Sequence, residues 1–323
     1  MTVIAITGAG GMIGRHLVEA LTPGDATIRS LLLPGEASAP LLERTEIHRG
    51  DIRNAADIAR LLDGADVVFH LASLVGRDAN GVPLDKVRAV NVEGTRNVIA
   101  AAEARNIRRL VLLSTCSVYG LHGHADEVID ETAPRTPDNR PYDISKTEAE
   151  GLVMGHDPAR LPWSVLQIPV ALGGEHTLDK PTILAMSNIL KFGVIPHPFP
   201  GTSWANYVFG RDVADALVLL ASHPAAVGEA FIYSESAPLP RFLSWISRET
   251  GRRAVPLPVP RIILDLAARR LAAAQLLGNR RRFSAGKIET RLGFRPKIGL
   301  ESGLQRTIRH YRKIGLIEAP EAA

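Results

Sequence analysis

The stretch Ala5–Ile6–Thr7–Gly8–Ala9–Gly10–Gly11–Met12–Ile13–Gly14 decides the fold. The short apolar run before it, Val3–Ile4–Ala5–Ile6, reads as a buried strand. Met12–Leu21 after it has helical spacing, with Ile13, Leu17 and Leu21 on one face. Strand, glycine turn and helix N-terminus together make an anion site. Unpaired backbone N–H groups point outward there, and the helix dipole favours a phosphate. Glycines are needed because the chain turns sharply and a pyrophosphate must come close to the backbone. The spacing is T-G-x-x-G-x-x-G through Gly8, Gly11 and Gly14; G-x-G-x-x-G fails, because Ile13 stands where its last glycine would be.

Working outward, the first half alternates two kinds of signal. Thr27–Leu33, Glu46–Arg49, Asp66–Leu71, Arg109–Leu113 and Trp163–Ile168 read as strands. Asn54–Leu62, Leu84–Arg105 and Tyr142–His156 read as helices. The strands show little polar alternation, which predicts an α/β fold with a parallel sheet covered on both faces. Ligands of such sheets bind beyond the carboxyl ends of the strands. The unusual residues collect at those ends: Asp51–Ile52, Leu71–Ala72–Ser73, Ser114–Gly120 and Pro169–Gly174.

Composition sets the outer limits. With 323 residues, the chain suits one large domain, or a core domain with a smaller appendage. No uninterrupted apolar run approaches a membrane span, and no signal peptide is visible. The single cysteine, Cys116, excludes an internal disulfide and suits a reducing compartment, so a cytoplasmic location is expected. A net charge of +4 without a basic–aromatic array speaks against nucleic acid as a partner. His122–Gly123–His124 has no third ligand at a telling spacing, and no metal is expected.

Tyr142 and Lys146 form Y-x-x-x-K. Four residues apart on a helix, phenol and ammonium share a face, and a nearby cation favours the phenolate. Tyr142 then becomes a usable general acid–base. The helix follows the loop after the fifth strand, where Thr115 offers a hydroxyl.

These pieces, in this order, resemble the extended short-chain dehydrogenases/reductases of the NAD-dependent epimerase/dehydratase type. Asn91–Thr95, Asn206–Asp215, Leu292–Pro296 and Leu300–Leu304 add to the likeness, which runs over nearly the whole length. The resemblance implies a Rossmann-type doubly wound sheet over 1–170, with 206–222 returning to it. It also implies a smaller substrate lobe over most of 171–323 and a homodimer paired through the helices at 84–105 and 142–156. It implies NAD(P) as cofactor. Gly8, Gly11, Met12, Ile13 and Gly14 would face the pyrophosphate, Asp51 and Ile52 the adenine, and Leu71, Ala72 and Ser73 the ribose and phosphate. Asn91 would brace the strand ends, Ser114 would neighbour the site, and Lys146 would hold the nicotinamide ribose as well as tune Tyr142. Pro169 and Val170 would touch the nicotinamide. Thr115, Tyr142 and Lys146 would be catalytic.

The departures narrow the chemistry. Related dehydratases follow the catalytic Thr with Asp–Glu, whereas this chain has Cys116–Ser117, which disfavours sugar dehydration. Nucleotide-sugar enzymes grip the substrate pyrophosphate with an Arg where Ala205 stands here. Arg280–Arg282 offers a substitute or a solvated run. The expected substrate is therefore a small molecule without a nucleoside diphosphate, in a pocket lined by residues such as Leu172, Ile195, Phe199 and Trp204. An NAD(P)-dependent alcohol dehydrogenase or ketone reductase is the first expectation, a nucleotide-sugar 4-epimerase the alternative, and a non-catalytic NAD(P)-binding regulator a third. The second strand ends Leu31–Leu32–Leu33–Pro34–Gly35 without the carboxylate that selects NAD, since Asp25 lies at the wrong end of the strand and Glu36 past the turn; with Arg15 and Arg53 near, the balance leans slightly to NADP, and a strong NAD preference would point to Glu36 folding back to the ribose. Pro181–Phe192 reads as a helix, Gly193–Trp204 as a proline-rich loop roofing the site, and Arg261–Leu277 as a basic amphipathic helix packed on the lobe or touching a membrane surface.

Overall fold

The computed structural model describes residues 2–75, 79, 81–120, 126–177, 183, 186, 187, 190–252, 254–268 and 278–317. The strands in chain order are β1 (Val3–Thr7), β2 (Thr27–Leu32), β3 (Glu46–Arg49), β4 (Val67–His70), β5 (Arg109–Thr115), β6 (Val128–Ile129) and β7 (Trp163–Ile168). They continue as β8 (Val170–Leu172), β9 (Val194–Phe199), β10 (Trp204–Phe209), β11 (Glu229–Ile232), β12 (Glu235–Pro238), β13 (Val255–Pro260) and β14 (Arg282–Phe283).

Seven strands form one parallel sheet in the order β11-β7-β5-β4-β1-β2-β3. Successive side chains of a strand point to opposite faces, and here both faces are dry. Ile4 and Ile6 join one core with the helices Met12–Leu21 and Gly210–Ser222, while Ala5 joins the other with the helices Ala55–Leu61 and Gly94–Ala104. That is why these strands read as nearly unbroken apolar runs. After residue 171 the chain returns to the sheet: the helix Gly210–Ser222 packs beneath it, β11 extends its edge, and the helix Gly286–Leu292 adds Ile288 and Leu292 to the same core.

Three differences from the sequence-based expectations have physical causes. The long helix over 84–105 is interrupted: Leu84–Arg88 and Gly94–Ala104 are α-helical, and Ala89–Glu93 between them is a π-helical turn that carries Asn91. Gly193–Trp204 is not a loop, because β9 pairs in parallel with β13. Both strands carry prolines, which this pair tolerates because a two-stranded sheet consists only of edges. The helix Arg261–Ala268 leaves Ile262, Ile263 and Leu266 exposed rather than packed on the lobe. Half of the helix expected at 181–192, the His122–His124 pair and residues 269–277 lie outside the described residues. Among the described residues no helix is long and apolar enough to cross a membrane.

β8, β10 and β12 form a second, three-stranded sheet. With the helices Leu239–Thr250 and Gly299–Lys313 it encloses a core containing Leu172, Tyr207, Phe242 and Leu304.

Candidate active site

A cavity of about 950 Å³ lies between the carboxyl ends of β1, β4, β5 and β7 and the segment that follows β7. Gly8, Gly11, Met12, Ile13, Gly14, Asp51, Ile52, Leu71, Ala72, Ser73, Ser114, Thr115, Tyr142, Lys146, Pro169 and Val170 all line it. Asn91 does not; it stands behind the wall.

The glycine turn is tight enough to require its glycines. Gly8 has φ +75°, and a Cβ there would lie 2.6 Å from the Ala72 nitrogen; one at Gly14 would lie 2.2 Å from the Gly8 oxygen. The helix that follows starts at Gly11 with no side-chain cap and no acidic residue in its first turn. Its free N–H groups face the cavity wall as an anion cradle. A dinucleotide fits this donor set: an uncapped helix start, a backbone stripped of side chains, and Asp51 at the far end.

Asn91 explains what the π-helical turn does. Its Oδ1 accepts from the Leu74 N–H at 2.7 Å and the Ser73 hydroxyl at 3.1 Å, and its Nδ2 donates to Leu74 O at 3.1 Å and Ser145 Oγ at 2.9 Å. One side chain thus ties the segment after β4 to the helix that carries Tyr142 and Lys146. Below it, the Thr95 hydroxyl donates to Asn91 O at 2.6 Å, so its oxygen accepts from His70 Nε2 at 2.9 Å. The Thr7 hydroxyl then donates to His70 Nδ1 at 2.7 Å. Burial holds His70 neutral, with its pKa pushed down to about 3.

Tyr142 sits half-buried at the start of the helix Pro141–Met154 and lines the cavity together with Thr115. Burial pushes its pKa up to about 12, against the lowering effect of the Thr115 side chain. The lowering expected from Lys146 is not what sets it. The Lys146 ammonium instead donates to Leu113 O at 2.9 Å. Burial drives Lys146 itself down to about 8, and the charge of Glu150, one turn further along, works the other way. Glu150 is buried and accepts from Ser114 Oγ at 2.5 Å, Gln167 Nε2 at 2.7 Å and Arg135 Nε at 3.1 Å. Ser114 is therefore engaged beneath the site, next to Thr115.

Other residues arrive from places the sequence does not mark. Arg140 and Asp143 also line the cavity and pair at 2.7 Å, and Thr307 and Tyr311 reach it from the C-terminal helix. Of the apolar residues expected in the pocket, Leu172 lines the cavity. Ile195 is buried in the lobe core, Phe199 is 66% exposed, and Trp204 lies under the Arg282 guanidinium. Arg280, Arg281 and Arg282 are not a solvated run. Arg280 pairs with Asp126, and Arg281 donates to Glu127 and to the carbonyls of Tyr119 and Gly120. Arg53 is held by Asp51, and Arg15 Nε donates to Gly10 O at 2.9 Å.

Fold and site together place a glycine turn and the cluster of Thr115, Tyr142 and Lys146 on the wall of one cavity at the carboxyl edge of a parallel sheet. The model of the NAD dependent epimerase/dehydratase family matches residues 4–234, and the chain belongs to that family. It is 27% identical to 3beta-hydroxysteroid-dehydrogenase/decarboxylase isoform 1 of Arabidopsis thaliana, over 94% of this chain and 78% of that protein. It is 30% identical to cinnamoyl-CoA reductase 1 of Oryza sativa subsp. japonica, over 70% of this chain and 69% of that one. In fold it is similar to UDP-glucuronic acid 4-epimerase from Bacillus cereus in complex with NAD, with a TM-score of 0.75 and 21% identity over 100% of this chain and 99% of that one.

Proposed function

We propose that the protein is an NAD-dependent oxidoreductase interconverting a secondary alcohol and a ketone or aldehyde, on a substrate without a nucleoside diphosphate. The observation that carries this is the placement of Thr115, Tyr142 and Lys146 on the wall of the same cavity as the glycine turn. The bound cofactor supplies the acceptor or donor of hydride. Tyr142 would move the hydroxyl proton, Thr115 would hydrogen-bond the same oxygen, and Lys146 would hold a ribose hydroxyl of the bound cofactor. The names of the plant relatives, a hydroxysteroid dehydrogenase/decarboxylase and a cinnamoyl-CoA reductase, agree with redox chemistry.

Dehydration has no acid–base pair here. Cys116 packs with Val118, Tyr119, Ile232 and Phe283, and burial pushes its thiol well up, so it remains a neutral thiol in the core. A pyrophosphate grip is missing as well: Ala205 is buried in the lobe core, and the Arg280–Arg282 side chains are committed elsewhere. The second reading, a nucleotide-sugar 4-epimerase, is favoured by the fold neighbour named for that reaction.

The cofactor preference also changes in this reading. The lean to NADP rested on a missing carboxylate after β2. Glu36 supplies one: its Oε2 accepts from the Leu33 N–H at 2.9 Å, and its Oε1 lies over Gly10 at the cavity wall. From there it would accept from a ribose 2′-hydroxyl and repel a 2′-phosphate.

A panel of ketones and secondary alcohols set against UDP- and dTDP-sugars, followed at the reduced-cofactor absorbance, tests the proposal. Stoichiometric cofactor turnover with a ketone or alcohol is expected. Sugar epimerisation without net redox would replace this reading with the second.

A further inference from the structure

We propose that His16, Glu19 and His176 form a binding site for one divalent ion of the zinc class, outside the cavity described above. His16 and Glu19 lie one turn apart on the helix that starts at the glycine turn. His176 ends the short turn Gly174–His176, on the far side of β8. His16 Nδ1 lies 3.8 Å and His176 Nε2 3.5 Å from the same Glu19 oxygen, and the three ligand atoms all lie within 4.8 Å of one another. Zinc bonds of about 2.0–2.1 Å in a tetrahedron put neighbouring ligand atoms about 3.4 Å apart. The cluster therefore needs only small side-chain rotations to close on an ion.

Two further observations point to a ligand. His16 is 1% exposed, and its Nδ1 has no hydrogen-bond partner; the buried Nε2 of His176 has none either. Both orphaned nitrogens aim into the cluster. The other nitrogen of His16, Nε2, lies 2.9 Å from Gly173 O. A backbone carbonyl there fixes the tautomer that leaves Nδ1 as the lone-pair donor, as an outer partner does for metal-bound histidines. The fold also makes room for this ring: a Cβ on Gly210 would lie 2.4 Å from His16 Cδ2.

A cavity of about 200 Å³, lined by His16 and Glu19 with Glu175 and Asp215, leaves space for a water as fourth ligand. Three cations border the same cavity: Arg211 pairs with Asp215 at 3.2 Å and reaches the same Glu19 oxygen at 3.9 Å, Lys297 Nζ lies 2.9 Å from Asp215, and Arg306 lines the wall, so an ion bound here would compete with Arg211 for Glu19. Two nitrogens and one carboxylate suit zinc, and cobalt(II) as its spectroscopic stand-in. A bound ion would join the glycine-turn helix to the segment after Gly173. Gly173 itself lines the active-site cavity and presses on Met12, since a Cβ there would lie 2.3 Å from the Met12 sulfur.

The test strips the full chain with a chelator and titrates it with Co²⁺, then with Zn²⁺. Expected are visible cobalt bands saturating at one equivalent, their loss on adding zinc, and a melting temperature that rises with zinc. His176→Ala and Glu19→Gln, which spare the buried His16, should each weaken binding by at least about 100-fold, the upper end of what losing an outer partner costs. Both should keep wild-type circular dichroism and NADH binding. Absence of a stoichiometric cobalt spectrum, or binding that survives unchanged in both variants, overturns the proposal.

Discussion

Replacing Glu150, which does not itself line the cavity, by Gln should move the alkaline limit of activity. Glu150 is one helical turn beyond Lys146, and its charge holds the ammonium's pKa up against burial, at about 8. Side chains four apart on a helix are roughly 6 Å apart. Coulomb's law at that distance with an effective dielectric of about 20 gives nearly 3 kcal/mol, or about two pKa units, as an upper bound. Arg135, 3.1 Å from the same carboxylate, already offsets part of that field, so a drop of about one unit is the working figure. The sign follows directly: a lysine is charged below its pKa, so a lowered pKa removes charge at a lower pH. At pH 8 the charged fraction falls from about one half to about one tenth, and at pH 6 it barely changes. The wild-type advantage in kcat/KM for the cofactor should therefore grow from near 1 at about pH 6 to about fivefold at about pH 8, since that ratio reports the free enzyme. The assay is NADH-linked turnover across that range, with NADH fluorescence titrations in parallel. A ratio that stays flat with pH would show that Glu150 only holds Ser114, Gln167 and Arg135 in place.

Tyr142→Phe should cut turnover by a factor on the order of 10² or more with cofactor affinity nearly unchanged, read from single-turnover absorbance and fluorescence titration; near wild-type turnover would make Tyr142 a structural residue. Glu36→Ala should reduce the NAD-over-NADP ratio of turnover efficiency by about tenfold or more, the size of a lost hydrogen bond to a charged group; an unchanged ratio would return the selection to Arg15 or Arg53. A homodimer paired through the helices at 84–104 and 141–154 is expected, and Arg88→Glu, which breaks the pair with Glu148 that joins these helices, should weaken it. Light scattering that gives a monomer at micromolar concentration for the wild type would refute the pairing.

The parallel sheet was legible because both of its faces are dry. Glu46–Arg49 and Trp163–Ile168 carry the boundaries expected of them, and β5 runs only two residues further, to Thr115. The π-helical turn was not legible: the apolar spacing through Val87, Val90, Val98 and Ala102 continues across it. The signal was instead a polar residue, Asn91, on a face that stays buried. Amphipathic periodicity tells which side of a helix is dry, not which distant backbone a buried amide will meet. The same limit hid Thr307 and Tyr311: their helix, Gly299–Lys313, packs Leu300, Leu304 and Ile308 into the lobe core while these two residues also line the cavity.

Glu36 and His176 show the remaining kind of blindness, which is distance along the chain. A carboxylate one turn past the end of β2 looks misplaced when residues are counted. It becomes well placed only because Pro34–Gly35 reverses the chain, with Gly35 at φ +80°, and brings the carboxylate back onto the Leu33 N–H. His16 and Glu19 could have been paired from their spacing on one helix, but their third partner, His176, lies 160 residues beyond His16, on a turn that β8 brings alongside. In both cases the residue types were visible, and the geometry that gives them a role comes from a reversal or a crossover. A doubly wound sheet therefore fixes its strands locally and its chemistry non-locally. Substitutions in the turns at Pro34–Gly35 and Gly173–Gly174 should disturb cofactor choice and metal affinity while leaving the strands intact.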